Sequence, residues 1–139
     1  MTAPLLVDTG PLVALLSERD RYHEWAKQAI AGSATPARTC EAVLSEAWHL
    51  LRQTRRGQPA LLELVERGLV SIDFSLAAEL VAVRRLVTRY RDRPMSLADA
   101  CLVRMAELYE KAAVLTVDAD FTIYRKNGRQ VIPLIAPFA

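Results

Sequence analysis

Asp8, Glu46, Asp99 and Asp118 each stand inside or directly beside apolar sequence. Asp8 interrupts Leu5-Leu6-Val7-Asp8-Thr9-Gly10-Pro11-Leu12, and Glu46 lies in Val43-Leu44-Ser45-Glu46-Ala47-Trp48. Asp99 sits in Ser96-Leu97-Ala98-Asp99-Ala100-Cys101-Leu102-Val103, and Asp118 closes Ala113-Val114-Leu115-Thr116-Val117. A carboxylate taken out of water is costly unless it is paired or bound to a cation. Several gathered together repel one another, so they take up protons or hold a metal. Carboxylate oxygens are hard ligands, matched to Mg²⁺ or Mn²⁺ rather than to zinc with its usual Cys and His partners. Such a cation can activate a water and bind phosphate oxygens, which is the chemistry of phosphodiester hydrolysis. Three hydroxyls beside the acids, Thr9, Ser96 and Thr116, could position a carboxylate or a water.

Each acid also has a purely structural reading. Asp8 and Asp118 precede small or turn-forming residues and could serve as helix N-caps or Asx-turns. Ser96 with Asp99 has the spacing of a capping box. Glu46, in mid-helix, has no capping role, but an exposed helix face would accept it.

The elements that must carry these residues follow from periodicity and punctuation. Short apolar runs predict strands at Leu5–Val7, Ala37–Cys40, Leu69–Phe74, Ala113–Val117 and Val131–Ile135. Helical spacing predicts helices from Pro11, over Arg21–Ala31, over Glu41–Arg56 with Gly57 as the stop, and over Pro59–Arg67. Two more follow, one capped by Ser75 and running to Arg91, the other capped by Ser96 and running from Leu97 to Lys111. Strands separated by helices predict an α/β fold with a mainly parallel sheet. In such sheets ligands bind at the carboxyl ends of the strands, where Asp8 and Asp118 fall. No repeat, low-complexity tract or linker divides residues 1–139, which predicts a single domain.

Composition narrows the class. With 52% hydrophobic and 24% charged residues in 139, the chain is globular rather than disordered. No apolar run reaches the length of a membrane span, and no signal-type segment opens the sequence, so a cytoplasmic protein is expected. Cys40 and Cys101 lie singly in apolar patterns and are read as reduced core thiols. His23 and His49 are too few and too separated to suggest a histidine metal site. The net charge of +2 predicts no partner by itself. Arginine is clustered, however, at Arg52, Arg55, Arg56 and again at Arg84, Arg85, Arg89, Arg91 and Arg93. Its planar fork suits phosphate, although a solvated helix face explains either cluster equally well.

Four motifs in order resemble the PIN domain family, and more narrowly the VapC-type toxins of bacterial and archaeal toxin–antitoxin pairs. They are Val7-Asp8-Thr9-Gly10-Pro11, Val43-Leu44-Ser45-Glu46-Ala47, Met95-Ser96-Leu97-Ala98-Asp99-Ala100 and Leu115-Thr116-Val117-Asp118-Ala119-Asp120-Phe121. The tail, Tyr124-Arg125 and Val131-Ile132-Pro133-Leu134, is similar to one subgroup. The resemblance implies a three-layer α/β/α fold and Mg²⁺- or Mn²⁺-dependent ribonuclease activity. It also implies a homodimer and inhibition by a cognate antitoxin. It further implies that Asp8, Glu46, Asp99 and Asp118 hold the metal and carry the chemistry. Asp120 is either a further acid behind these or the cap of the turn before Phe121. Arg52, Arg55 and Arg56, beyond Glu46 on the same predicted helix, become candidates for holding the RNA backbone. Glu41 points about 140° away from Glu46 on that helix and is left out.

Other readings compete. A PIN nuclease could instead process RNA or cleave DNA. A receiver-type signalling domain also places aspartates at strand ends, but it expects an acidic pair at the first strand and a lysine late in the sheet. Asp8 is single, and Thr116-Val117-Asp118 holds no lysine. A metal-free interaction module would leave four carboxylates without a partner.

Overall fold

The computed structural model describes residues 4–33 and 36–138. In chain order the elements are β1 (Leu5–Val7), α1 (Thr9–Leu16), α2 (His23–Ala31), β2 (Ala37–Thr39), α3 (Glu41–Leu50), α4 (Gly57–Glu66) and β3 (Val70–Ile72). Then come α5 (Leu80–Arg89), α6 (Leu97–Leu108), β4 (Ala113–Leu115), a 3₁₀ turn (Ala119–Thr122), β5 (Arg125–Lys126), β6 (Gln130–Val131) and β7 (Leu134–Ile135).

Five strands form one sheet in the order β3-β2-β1-β4-β7, with every pairing parallel. Successive side chains of a strand point to opposite faces, yet Leu5, Leu6 and Val7 are all buried. Both faces of β1 are therefore covered by helices, which is the expected three-layer arrangement. The winding reverses beside β1: β2 and β3 extend the sheet one way, β4 and β7 the other. Diverging connections on either side of that pair leave a crevice at its carboxyl end, where open parallel sheets bind ligands.

Several boundaries differ from the sequence reading. The helix predicted to be capped by Ser75 begins only at Leu80, with Glu79 before it, and Ser75 instead accepts from Ala78 N in the preceding turn. Two other differences bear on the site. The predicted helix over 41–56 stops at Leu50, and the chain turns through residues 51–56. Arg56 takes a left-handed conformation at φ 57°, so Gly57 opens α4 instead of closing α3. Gly57 packs so tightly that a Cβ there would lie 2.9 Å from Thr54 Cβ. The predicted strand over 131–135 is also divided. Residues 130–131 pair with β5 as a small antiparallel hairpin, and 134–135 join the main sheet. Pro133 lies between them, lacking an N–H to continue a ladder, though its carbonyl accepts from Val114 N.

Gly10 is required by contact. A Cβ at that position would lie 2.3 Å from Cγ2 of Val117. This close approach seats the start of α1 directly against the segment following β4, and so fixes the spacing between Asp8 and Asp118. Both cysteines are free and buried, as the sequence predicts. Their thiols hydrogen-bond to each other, and that bond together with burial pushes Cys101 upward.

Candidate active site

Asp8 follows β1 directly and is the N-cap of α1, its carboxylate accepting from Thr9 N at 2.8 Å. Its other oxygen accepts from the Thr116 hydroxyl at 2.7 Å. Thr116 Oγ1 in turn accepts from Asp118 N at 2.9 Å, so one hydroxyl ties together the ends of β1 and β4. Asp118 caps the 3₁₀ turn through Asp120 N at 2.9 Å. Asp99 arrives from the other side, in the first turn of α6. The Ser96–Asp99 capping box forms, with Asp99 N on Ser96 Oγ at 3.0 Å and Ser96 N on Asp99 Oδ2 at 3.4 Å. The capping readings are therefore correct for Asp8, Asp99 and Asp118.

They are also incomplete. One carboxylate oxygen from each of Asp8, Asp99 and Asp118 lies within 4.8 Å of the other two. Capping each element separately does not require three acids from distant parts of the chain to converge. Among the described residues, none of the three forms an ion pair, and no hydrogen bond reaches Asp99 Oδ1 or Asp118 Oδ2. Thr9 Oγ1 is buried beside them with no hydrogen-bond partner. Free hard-oxygen donors, an orphaned hydroxyl and no protein cation are what a divalent ion and its waters would fill.

The electrostatics carry the same mark. Burial pushes Asp8 up to about 6, against the hydrogen bonds from Thr116 and Thr9 and with the charges of Asp99 and Asp118. Asp99 is raised chiefly by burial, then by the charge of Asp118, while the bonds from Tyr124 and Ser96 oppose the shift. Without a cation, the cluster holds its charge only reluctantly.

Glu46 lies outside the triad, on an exposed position of α3. Its carboxyl nonetheless loses some water and feels Asp99 and Asp118, which together raise its pKa. Asp120 gives its backbone N–H to Asp118, and its carbonyl accepts from Ile123 N. Arg52 caps α3 through the carbonyl of His49. Arg55 and Arg56 line a cavity with Leu16, Ser17, Glu18 and Arg19, at the opposite end of α1 from Asp8. Eight helical residues separate those ends, about 12 Å of rise.

One further site residue is not revealed by the pattern of acids. Tyr124 is fully buried, and its hydroxyl donates to Asp99 Oδ2 at 3.0 Å. Phe121 and Tyr90 pack edge-on to its ring, with centroids 5.2 and 5.1 Å away. In the sequence it stands only within the tail similar to one subgroup, six positions beyond Asp118, with no periodicity to indicate where it points. Tyr124→Phe keeps the ring in place and removes the bond that favours ionised Asp99. The Asp99 pKa should rise, and Mn²⁺ affinity at pH 6 should fall about tenfold, the worth of one charge-assisted hydrogen bond. The loss should shrink at pH 8, while the melting temperature changes little. Calorimetric titration at the two pH values separates this positioning role from a packing role, which would weaken binding equally at both.

The chain and its fold are similar to known proteins of one kind. The PIN domain family model matches residues 5–127. Ribonuclease VapC26 of Mycobacterium tuberculosis is 29% identical over 128 residues, covering 89% of this chain and 94% of that protein. The fold is similar to the crystal structure of Mycobacterium tuberculosis VapC20, described as a Sarcin-Ricin loop cleaving toxin. That match has a TM-score of 0.77 and 24% identity over 86% of this chain and 93% of that one. VapBC2 from Rickettsia felis, bound to a DNA fragment from its promoter, matches with a TM-score of 0.60 and 16% identity, over 95% and 97% of the two chains.

Proposed function

The chain belongs to the PIN domain family, and from that premise we propose that it is a metal-dependent endoribonuclease, the toxin of a VapBC-type toxin–antitoxin pair. The observation that carries this reading is the convergence of Asp8, Asp99 and Asp118 within 4.8 Å, without a protein cation, at the point where the sheet reverses its winding. The names of the relatives, a ribonuclease and a Sarcin-Ricin loop cleaving toxin, support the same reaction class. A receiver-type signalling role is set aside by the family.

In this reading Asp8, Asp99 and Asp118 hold Mg²⁺ or Mn²⁺. The bound ion would supply Lewis acidity toward a phosphate oxygen and a water acidic enough to attack at neutral pH. The chain itself supplies placement. Thr9 N–H and Thr116 fix both oxygens of Asp8, and Tyr124 with Ser96 fixes one oxygen of Asp99, leaving the other free. The unpartnered Thr9 hydroxyl is available to a phosphate oxygen or a water. Glu46 completes the acidic set at the rim, where its raised pKa suits it to take up a proton. The single-domain reading of residues 1–139 is supported by helices from both halves that share one buried cluster with the sheet. No helix among the described residues is long and apolar enough to cross a membrane. The toxin role places the protein in the cytoplasm as a homodimer restrained by its antitoxin.

Expression in a bacterial host tests the toxin role. The intact chain should arrest growth, and an Asp118→Asn chain at equal abundance should not. A chain that cuts RNA when purified but leaves growth unaffected would remove the toxin role and keep the nuclease.

A further inference from the structure

On α5, Val81, Arg84, Arg85, Thr88 and Arg89 recur at i, i+3, i+4, i+7 and i+8, and so form one face of the helix. With Arg91 they line a shallow cavity of about 510 Å³. The opposite face is anchored by buried Val83 and Leu86. Elsewhere, Lys27 pairs with Glu24, Arg38 with Asp73, Arg67 with Glu63, and Arg104 with Glu79 and Glu107. Other basic residues, such as Arg55 and Arg56, form no ion pair among the described residues. What sets α5 apart is the density and alignment of its arginines on one face. Among the described residues no ion pair involves the arginines of α5 and its extension, and between Leu80 and Arg93 five arginines face a single acid, Asp92. Like charges at i, i+4 weaken a helix, and no hydrogen bond or ion pair among the described residues occupies the Arg84 and Arg85 side chains, so the fold does not account for these two.

Its direction points to a use. Glu79, at the start of α5, pairs with Arg104 midway along α6 at 2.7 Å. Tyr90, at the other end, packs on Tyr124, whose hydroxyl holds Asp99. The α5 axis therefore runs alongside α6 toward the end that carries the acid cluster, with the stripe on the face turned away from α6. Arg89 is tied to the β5–β6 hairpin through the Gly128 carbonyl, and Arg91 donates through one Nη to the Thr88 carbonyl at the end of α5. Arg84, Arg85 and Arg91 are all exposed. Arg55 and Arg56 lie at the far end of α1 and share their cavity with Glu18.

We propose that the Arg84–Arg85–Arg91 stripe on α5 is a seat for the phosphate backbone of an RNA strand, leading it toward Asp8, Asp99 and Asp118. The inference rests on the nuclease reading and adds where the substrate lies. The exposed guanidinium groups would hold about three phosphates, independent of base sequence, so this surface provides affinity rather than specificity.

The test measures binding, without metal, of a labelled single-stranded RNA long enough to span α5 and the cleft. The parent is the full chain carrying Asp8→Asn. Adding Arg84→Ala, Arg85→Ala and Arg91→Ala should lower affinity about tenfold or more at ~0.1 M salt. The slope of log affinity against log salt should become shallower by about 2, since each phosphate no longer neutralised removes about 0.7. The matching triple Lys variant keeps the charges and should keep most of the affinity, and it serves as the reference if the Ala triple folds poorly. An Ala triple with an unchanged melting temperature, affinity and salt slope would overturn the proposal. So would an acidic peptide that binds the stripe when RNA does not. Failure of the wild-type chain to cut RNA with Mg²⁺ or Mn²⁺ would instead remove the nuclease reading, and is seen separately from the binding result.

Discussion

Asp8→Asn is expected to lower RNA cleavage on the order of a thousandfold and, at the same time, to stabilise the metal-free protein at pH 7.5. The first effect follows from losing an anionic donor at the centre of the cluster, about 4 kcal/mol of barrier. The second follows from the cost of keeping this carboxylate ionised in the fold. Burial lifts Asp8 from 3.8 to about 6, so the native state binds its proton more tightly than the unfolded chain does. Stability then falls as pH rises through the window from about 4 to 6, and the full penalty is present above it. Two pKa units correspond to about 3 kcal/mol, or a melting shift of roughly 6–10 °C for a domain of this size. Asparagine keeps the acceptor for Thr9 N and carries no charge, but its amide nitrogen cannot accept from the Thr116 hydroxyl, so it should recover only part of that energy. Calorimetry at pH 7.5 and pH 4 checks the sign, because the advantage of the variant should disappear at the lower pH. A variant that melts lower than wild type at pH 7.5 while retaining cleavage would contradict both halves.

The acid limb of activity should fall near pH 6, about tenfold for each further pH unit. Protons and a divalent cation compete for the same carboxylates, and Asp8 is the member with its pKa near 6. Raising the Mn²⁺ concentration should move the limb to lower pH, since a bound cation favours the ionised form. Cleavage rates from pH 5 to 8 at two Mn²⁺ concentrations give the result. A profile flat down to pH 5, or a limb indifferent to Mn²⁺, would separate Asp8 from metal binding.

The chain displays its strand-end acids openly, and the fold makes plain why. Leu5–Val7 and residues 113–117 are short, mostly apolar runs that end in carboxylates, and pairing of the adjacent parallel strands β1 and β4 brings such ends together. Asp99 is legible because an acid near the start of an apolar helix is conspicuous. Tyr124 is not, since it reaches Asp99 from a tail whose path depends on the 3₁₀ turn and on packing with Tyr90 and Phe121. The end of α3 is hidden for a different reason. Leu50 and Leu51 continue the apolar spacing past the last helical turn, and Leu51 is buried in the core. Only the backbone of Arg56, in a left-handed conformation, shows that the chain has turned. That turn takes Arg52, Arg55 and Arg56 off the helix that periodicity predicts they share with Glu46. The α5 arginines show the reverse. Their spacing is visible in the sequence, but their lack of ion-pair partners among the described residues and the course of α5 along α6 depend on neighbours from α6 and the tail.

The most direct measurement of the central claim is the chemistry of the cut ends of RNA. If water attacks phosphorus at the aspartate cluster, the ribose 2′-hydroxyl takes no part. The purified protein with Mg²⁺ or Mn²⁺ should then leave one linear phosphomonoester end and one hydroxyl end, without a 2′,3′-cyclic phosphate, and chelation should stop the reaction. Cleavage that persists in chelator and leaves 2′,3′-cyclic phosphate ends would contradict it.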